Sequence, residues 1–261
     1  MARPDPWPRY GPAAARRKAR AALAALADLV WPPLSPLSNA EVDAPGRLTP
    51  ADWSQIAFLE PPWCAACGVP FPYPAGEGAV CGACAARPPR VSRARSALVY
   101  DAASRALALQ LKHAGRTDGL AAFGRWMARA GGDLLADADA LVPVPLHRRR
   151  LRARRFNQSL LLARAVSRVT GLPVDAHALA RVKPTPSQGG RSAKARMRNV
   201  SGAFAARDPG RVRGARLVLI DDVYTTGATL EACARALARG GAADVMAITL
   251  SRVVRPVDPL K

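Results

Sequence analysis

Residues 217–230, LVLIDDVYTTGATL, run four apolar side chains into two adjacent carboxylates, then into threonines around a glycine. A buried strand that ends on two like charges needs something to bind them, because unpaired charge beside a core is costly. The turn formed by Thr225, Thr226, Gly227, Ala228 and Thr229 leads into a helical pattern. Successive backbone N–H groups and the positive end of the helix dipole face outward there. With the threonine hydroxyls they make a cradle for a monophosphate. It is not a P-loop, since the GxxxxGK spacing and its lysine are missing. Asp221 and Asp222 would repel a phosphate that they touched, so they address another part of the same ligand. Vicinal ribose hydroxyls donate to carboxylates, and the same acids stabilise positive charge developing on the sugar ring. The pattern points to ribose 5-phosphate or a derivative. A helix cap by Asp221 accounts for one acid and one threonine, not for the full set.

A second constellation lies upstream. Cys64-x2-Cys67 and Cys81-x2-Cys84 are separated by 13 residues, and each pair carries a glycine, Gly68 or Gly82, at its turn. Four thiolates so spaced can surround one tetrahedral Zn2+. Two disulfides are the alternative, but nothing else suggests an oxidising compartment. No histidine or carboxylate stands among them, so the site reads as structural. PPLSPLSN (32–39) repeats PPWCAACG (61–68), placing Ser35 and Ser38 opposite Cys64 and Cys67. LTPADW (48–53) parallels VCGACA (80–85), placing Thr49 and Asp52 opposite Cys81 and Cys84. Hydroxyls are poor zinc ligands beside thiolates, so metal is expected in the second unit alone.

The elements that position these residues follow from the periodicity. Strands are expected over 97–101, 140–146, 216–223 and 243–253, and helices over 102–113, about 119–131, 156–170 and 229–241. Residues 183–201, KPTPSQGGRSAKARMRNVS, read as a long polar loop. Apolar strands alternating with helices imply an α/β fold with a parallel sheet, whose ligands lie at the carboxyl ends of the strands. The organisation expected is a basic N-terminal helix (1–31), a zinc-ribbon region (32–88) and an α/β domain (89–261). Asp28 breaks the N-terminal Ala/Leu stretch and no cleavage site follows. The segment therefore reads as an amphipathic helix of a cytoplasmic protein rather than a signal peptide. No apolar run reaches the roughly 18 residues of a membrane span. The net charge is +20, and positions 140–200 hold fourteen Lys/Arg against one acid, Asp175. Such a field draws polyanions, although a GC-rich coding bias would also fill a surface with solvated arginine.

VLIDDVYTTGAT resembles the phosphoribosyl-diphosphate (PRPP) motif of type I phosphoribosyltransferases. The wider chain is similar to the ComF family of competence-associated, phosphoribosyltransferase-like proteins. The likeness rests on the zinc ribbon, Leu111-Lys112-His113, PVPL (143–146), RRFNQ (154–158), Thr185–Gln188 with Arg196, Asn199 and Phe204, and then the PRPP motif, in that order. It covers the chain from about residue 55. Many relatives carry glycine where Arg155 stands, which leaves open whether a tight turn forms there.

The resemblance implies a parallel-sheet, type I phosphoribosyltransferase-like domain with a small N-terminal zinc-ribbon module. It makes the loop after VPVPL the pyrophosphate loop, with Arg148, Arg150 and Arg155 among six arginines in eight positions, and it adds Lys112 nearby. Six guanidinium groups cannot all reach one diphosphate, so the others face solvent or nucleic acid. The 183–201 loop would close over the site, with Lys194, Arg196 and Arg198 neutralising the leaving group. The implied activity is Mg2+-dependent phosphoribosyl transfer from PRPP to an unidentified acceptor, with Asp221 and Asp222 stabilising the cationic sugar. The alternative is a non-catalytic PRPP or nucleotide sensor that binds single-stranded DNA and works with competence-machinery proteins.

Overall fold

The structure is a computed structural model that describes residues 32–44, 46–113, 119–148, 151–152, 155–183, 200 and 202–254, with the side chains of Lys112 and His113 left aside. The expected N-terminal helix over 1–31 lies outside the described residues, as do 184–199 and 201 of the polar loop. Four parallel strands form the central sheet: β1 (Ala94–Val99), β2 (Ala140–Pro143), β5 (Arg216–Tyr224) and β6 (Asp244–Arg252), in the order β1-β6-β5-β2. The register aligns Val142, Leu219, Ala247 and Ala94 on one rung, and Leu141, Val218 and Met246 on a neighbouring one. Side chains alternate across a sheet, so successive rungs feed two cores.

On one face Val218, Ile220, Met246 and Ile248 pack with Leu107 and Leu111 of α3 (Ala102–His113), Phe123 and Met127 of α4 (Leu120–Ala130) and Leu162 and Val166 of α6 (Gln158–Thr170). On the other, Leu217, Leu219 and Ala247 meet Leu230, Cys233 and Leu237 of α8 (Ala228–Arg239). Strand β5 is therefore covered on both sides, which explains its unbroken apolar run. No helix among the described residues is long and apolar enough to cross a membrane.

Differences from the sequence expectation have local causes. The strand expected over 140–146 stops at Pro143, where Pro143 and Pro145 remove two donors from the ladder. Helix α6 starts at Gln158, not Phe156, because Asn157 caps it by accepting the Ser159 amide at 3.1 Å. An antiparallel hairpin, β3 (Leu179–Arg181) with β4 (Phe204–Ala206), was not expected. It holds both ends of the polar loop together and lies against α8, in the core that contains Leu179 and Phe204. Two single-turn helices, α5 (Gly132–Leu135) and α7 (Pro209–Val212), complete the domain.

The ribbon region adds two short helices, α1 (Pro50–Trp53) and α2 (Gly82–Ala86). It is stitched to the β1 edge by Ala94 N to Ala66 O at 2.7 Å, Leu59 N to Ala97 O at 2.9 Å and Val99 N to Ala57 O at 2.8 Å. That pairing covers an edge strand that would otherwise template association. In the first ribbon unit, the four residues aligned with the cysteines converge without thiols. Asp52 Oδ2 accepts from Ser35 Oγ at 2.6 Å, Ser38 Oγ at 3.0 Å and the Thr49 amide at 3.1 Å. The Asp52 amide donates back to Thr49 Oγ1 at 3.1 Å, which closes a capping box. One carboxylate thus takes the centre of the unit.

Asp52 is 1% exposed. Burial alone would raise its carboxyl, but the donors from Ser35, Thr49 and Ser38 outweigh it and hold the group below its ordinary value. A depressed carboxyl adds stability that is complete above the unfolded value of about 3.9 and fades as pH falls through the lower folded value. Asp52→Ala should cost about 3 kcal/mol at pH 7, the scale of a buried charge-assisted cluster. The same change should cost less below pH 3. Urea unfolding followed by tryptophan fluorescence at the two pH values checks both statements.

Candidate active site

Strand β5 ends where two helices of opposite faces begin. Asp221 is half-buried, and its Oδ1 accepts Ser159 Oγ at 2.9 Å and the Asp222 amide at 3.0 Å. Ser159 lies in the first turn of α6, so the acid sits at the positive end of that helix. Asp222 is 7% exposed and its Oδ1 accepts the Val223 amide at 2.9 Å. Strand alternation turns the two carboxylates to opposite faces.

Asp221 lines a small cavity together with Thr225, Thr226, Gly227, Ala228 and Thr229. Gly227 opens α8 with φ 75°, and a Cβ there would come 2.6 Å from the Tyr224 hydroxyl. Only glycine fits both the backbone and the space. The first turn of α8 contributes amides that have no intrahelical acceptor. Thr226 Oγ1 is buried and makes no hydrogen bond within the described protein. A buried hydroxyl, a helix start and an adjoining carboxylate together fit a phosphorylated sugar. Tyr224, beside them, has its hydroxyl pushed up to about 12 by burial, against the opposing charge of Arg252, and so stays a neutral donor.

A larger cavity of about 790 Å³ adjoins the start of α6 and is lined by Arg148, Arg155, Asn157, Arg164, Arg181 and Arg207. Asn157 belongs to this cavity while Ser159, two residues on, holds Asp221, so the start of α6 links the two spaces. Arg155 adopts φ 62°, so the turn that glycine would favour is kept with an arginine in it. Of the other residues expected in the site, Arg150, Lys194, Arg196 and Arg198 lie outside the described residues, and Lys112 is placed only as backbone near the end of α3. Sequence reasoning missed Ser159, Arg164, Arg181 and Arg207. Ser159 is the residue next to the FNQ segment, but its contact with Asp221 spans 62 positions, which no local pattern signals.

The four ribbon cysteines are free thiols whose sulfurs all lie within 4.8 Å of one another. Cys67 and Cys81 sulfurs are 3.8 Å apart, the edge of about 3.8 Å that a tetrahedron of Zn–S bonds near 2.3 Å requires. Burial raises the Cys64 thiol, but amides of Cys67 and Cys81 directed at its sulfur bring it down to about 7. Burial and the neighbouring sulfurs push Cys84 up, so the thiols are favourably gathered only around a cation. The residues fit zinc, and the site is a closed structural one.

Comparisons with known proteins agree with this geometry. The phosphoribosyl transferase domain family matches residues 157–256, and the double zinc ribbon domain family matches residues 26–85. The chain is 36% identical over 197 residues to the DNA utilization protein YhgH of Salmonella typhimurium, covering 73% of this chain and 84% of that protein. It is 36% identical over 115 residues to competence protein F of Haemophilus influenzae, covering 44% of this chain and 50% of that protein. It is 37% identical over 113 residues to competence protein ComFC of Bacillus subtilis, covering 43% and 44% respectively.

Elemental analysis of the purified protein should return one zinc per chain, because the first ribbon unit is closed by Asp52. Cys81→Ser should lose that zinc, and a second equivalent surviving in Ser35→Ala would contradict the assignment. Arg155→Gly should raise stability by about 1 kcal/mol in chemical denaturation, since it relieves a left-handed backbone.

Proposed function

The chain belongs to the ComF family, and we propose that it is a Mg2+-dependent phosphoribosyltransferase that uses PRPP. The observation that carries this reading is the buried hydroxyl of Thr226, without a hydrogen-bond partner among the described residues, at the glycine-started helix beside Asp221. The 5-phosphate enters the cradle of Thr225–Thr229. Asp221 accepts from the ribose hydroxyls, and Asp222 adds a fixed negative charge from behind the strand. Charge developing at the anomeric carbon as its bond to diphosphate breaks is stabilised by these acids. The departing diphosphate lies toward Arg148 and Arg155, whose guanidinium forks suit phosphate oxygens. Asp221 is the carboxylate lining the cradle; together with the diphosphate it would hold a Mg2+, which would neutralise part of that charge. Lys194, Arg196 and Arg198 lie outside the described residues; by the family resemblance their charges would help to neutralise the leaving diphosphate.

A second reading is favoured by the further arginines that line the same cavity, Arg164, Arg181 and Arg207. In it the domain senses PRPP or a nucleotide and the basic cavity takes single-stranded DNA, in keeping with relatives named for DNA utilization and competence.

PRPP with Mg2+ should raise the melting temperature, and Thr226→Ala should remove most of that rise. With a panel of nucleobases as acceptors, Asp221→Asn should lower pyrophosphate release about a hundredfold. Absence of both stabilisation and pyrophosphate release ends the enzyme reading. Single-strand binding with a steep salt dependence that survives Asp221→Asn would then support the second.

A further inference from the structure

The zinc ribbon and the phosphate cradle meet through one buried arginine. Arg252 ends β6 and is 7% exposed, and the parallel register sets it beside Tyr224 of β5. Its Nη1 donates to the Cys67 carbonyl and its Nη2 to Cys67 Sγ at 3.5 Å. The same guanidinium lies over the Tyr224 ring, 4.2 Å from its centroid. Tyr224 in turn sets its hydroxyl against Gly227, the residue that opens α8 and lines the cradle. A metal ligand, a cation, an aromatic face and the phosphate loop therefore touch in sequence. None of these contacts follows from the PRPP motif alone.

A buried guanidinium needs fixed acceptors, and Cys67 supplies two of them. Held on the metal, Cys67 keeps its sulfur and its carbonyl in place, so Arg252 stays over the Tyr224 ring. Released, Cys67 can rotate away, Arg252 loses partners, and the ring that props Gly227 is no longer clamped from behind. We propose that Arg252 is a positioning residue that couples the zinc centre to the phosphate cradle, so that metal binding and binding of a ribose 5-phosphate group strengthen each other. This inference rests on the reading of the cradle given above. Coupling of this kind is reciprocal, so the ligand must hold the zinc as firmly as the zinc helps the ligand.

Reciprocity supplies a readout that is independent of catalysis. The zinc affinity of the intact protein is measured by equilibrium competition with a chromogenic chelator of known affinity, with and without saturating ribose 5-phosphate, whose binding is measured separately by calorimetry. The ligand should tighten zinc binding about tenfold in the wild type. Arg252→Met should hold zinc with one affinity whether or not the sugar phosphate is bound. Arg252→Lys, which keeps the charge without the fork, should recover part of the difference. Tyr224→Leu breaks the chain one contact further on and leaves the bonds to Cys67 in place, so it should lose the coupling even if Arg252→Met does not fold. Equal tightening in Arg252→Met and the wild type overturns the proposal, as does a wild type that binds the sugar phosphate yet holds zinc no more tightly. A wild type that binds no sugar phosphate overturns the cradle reading itself, and this coupling with it.

Discussion

The burial of β5 on both faces is the constraint from which the rest of the molecule follows. A strand covered by α6 on one side and α8 on the other must be apolar along its length, and Leu217 to Ile220 meet that requirement. Its carboxyl end is the first place where polar groups are tolerated. The two flanking helices both begin there, with Ser159 in the first turn of α6 and Gly227 at the start of α8. Two helix N-termini concentrate partial positive charge at one spot, which makes an acid at Asp221 tolerable and a phosphate nearby favourable. The acids and the anion site are thus consequences of one packing arrangement.

The two ribbon units show the same geometric problem answered by different forces. In the second, four thiolates close on zinc, a bond set worth on the order of 10 kcal/mol or more in isolated zinc modules. In the first, a single carboxylate gathers three donors, each worth about 1.5–3 kcal/mol. The weaker closure is backed by packing. Trp53 stacks on Phe58 at 5.8 Å and meets Trp126 of α4 edge-on at 5.7 Å, and Leu48 enters the main core. The first unit is braced by the sheet domain. The cysteine unit presents Cys67 to Arg252 and so reaches the far end of the sheet.

Local features were legible in the sequence because their causes are local. The apolar run into Asp221 and Asp222 and the spacing within each cysteine pair depend on residues a few positions apart. The alignment of Ser35, Ser38, Thr49 and Asp52 with the four cysteines identified positions that do converge. What it did not reveal was the acceptor geometry that makes Asp52 the centre. The β3–β4 hairpin escaped notice because its three-residue arms are separated by more than twenty positions and neither carries a strong alternating pattern. Arg252 escaped for a different reason. It is one arginine among many in a basic chain, and only the register of β6 against β5 sets it over Tyr224. Arg155 carries a backbone preference that its side chain conceals, since its φ of 62° is imposed by the turn into α6.

Charge also decides how a ligand lies in the cleft. On the proposed reading, the cradle at the start of α8 and the arginine-lined cavity at the start of α6 both take phosphate; Asp221 lines the first and bonds Ser159 at the start of α6. A phosphate moved onto that acid would meet about 4 kcal/mol of repulsion at 4 Å for an effective dielectric of 20. The middle of the ligand must therefore be uncharged and rich in donors, while its ends carry the anions. A ribose with phosphoryl groups at both ends has that charge pattern. A nucleoside monophosphate has one of the two ends, and free diphosphate lacks the neutral centre. On the proposed reading, orientation would follow from the alternation of positive, negative and positive ground along the carboxyl edge of the sheet, where both helices begin.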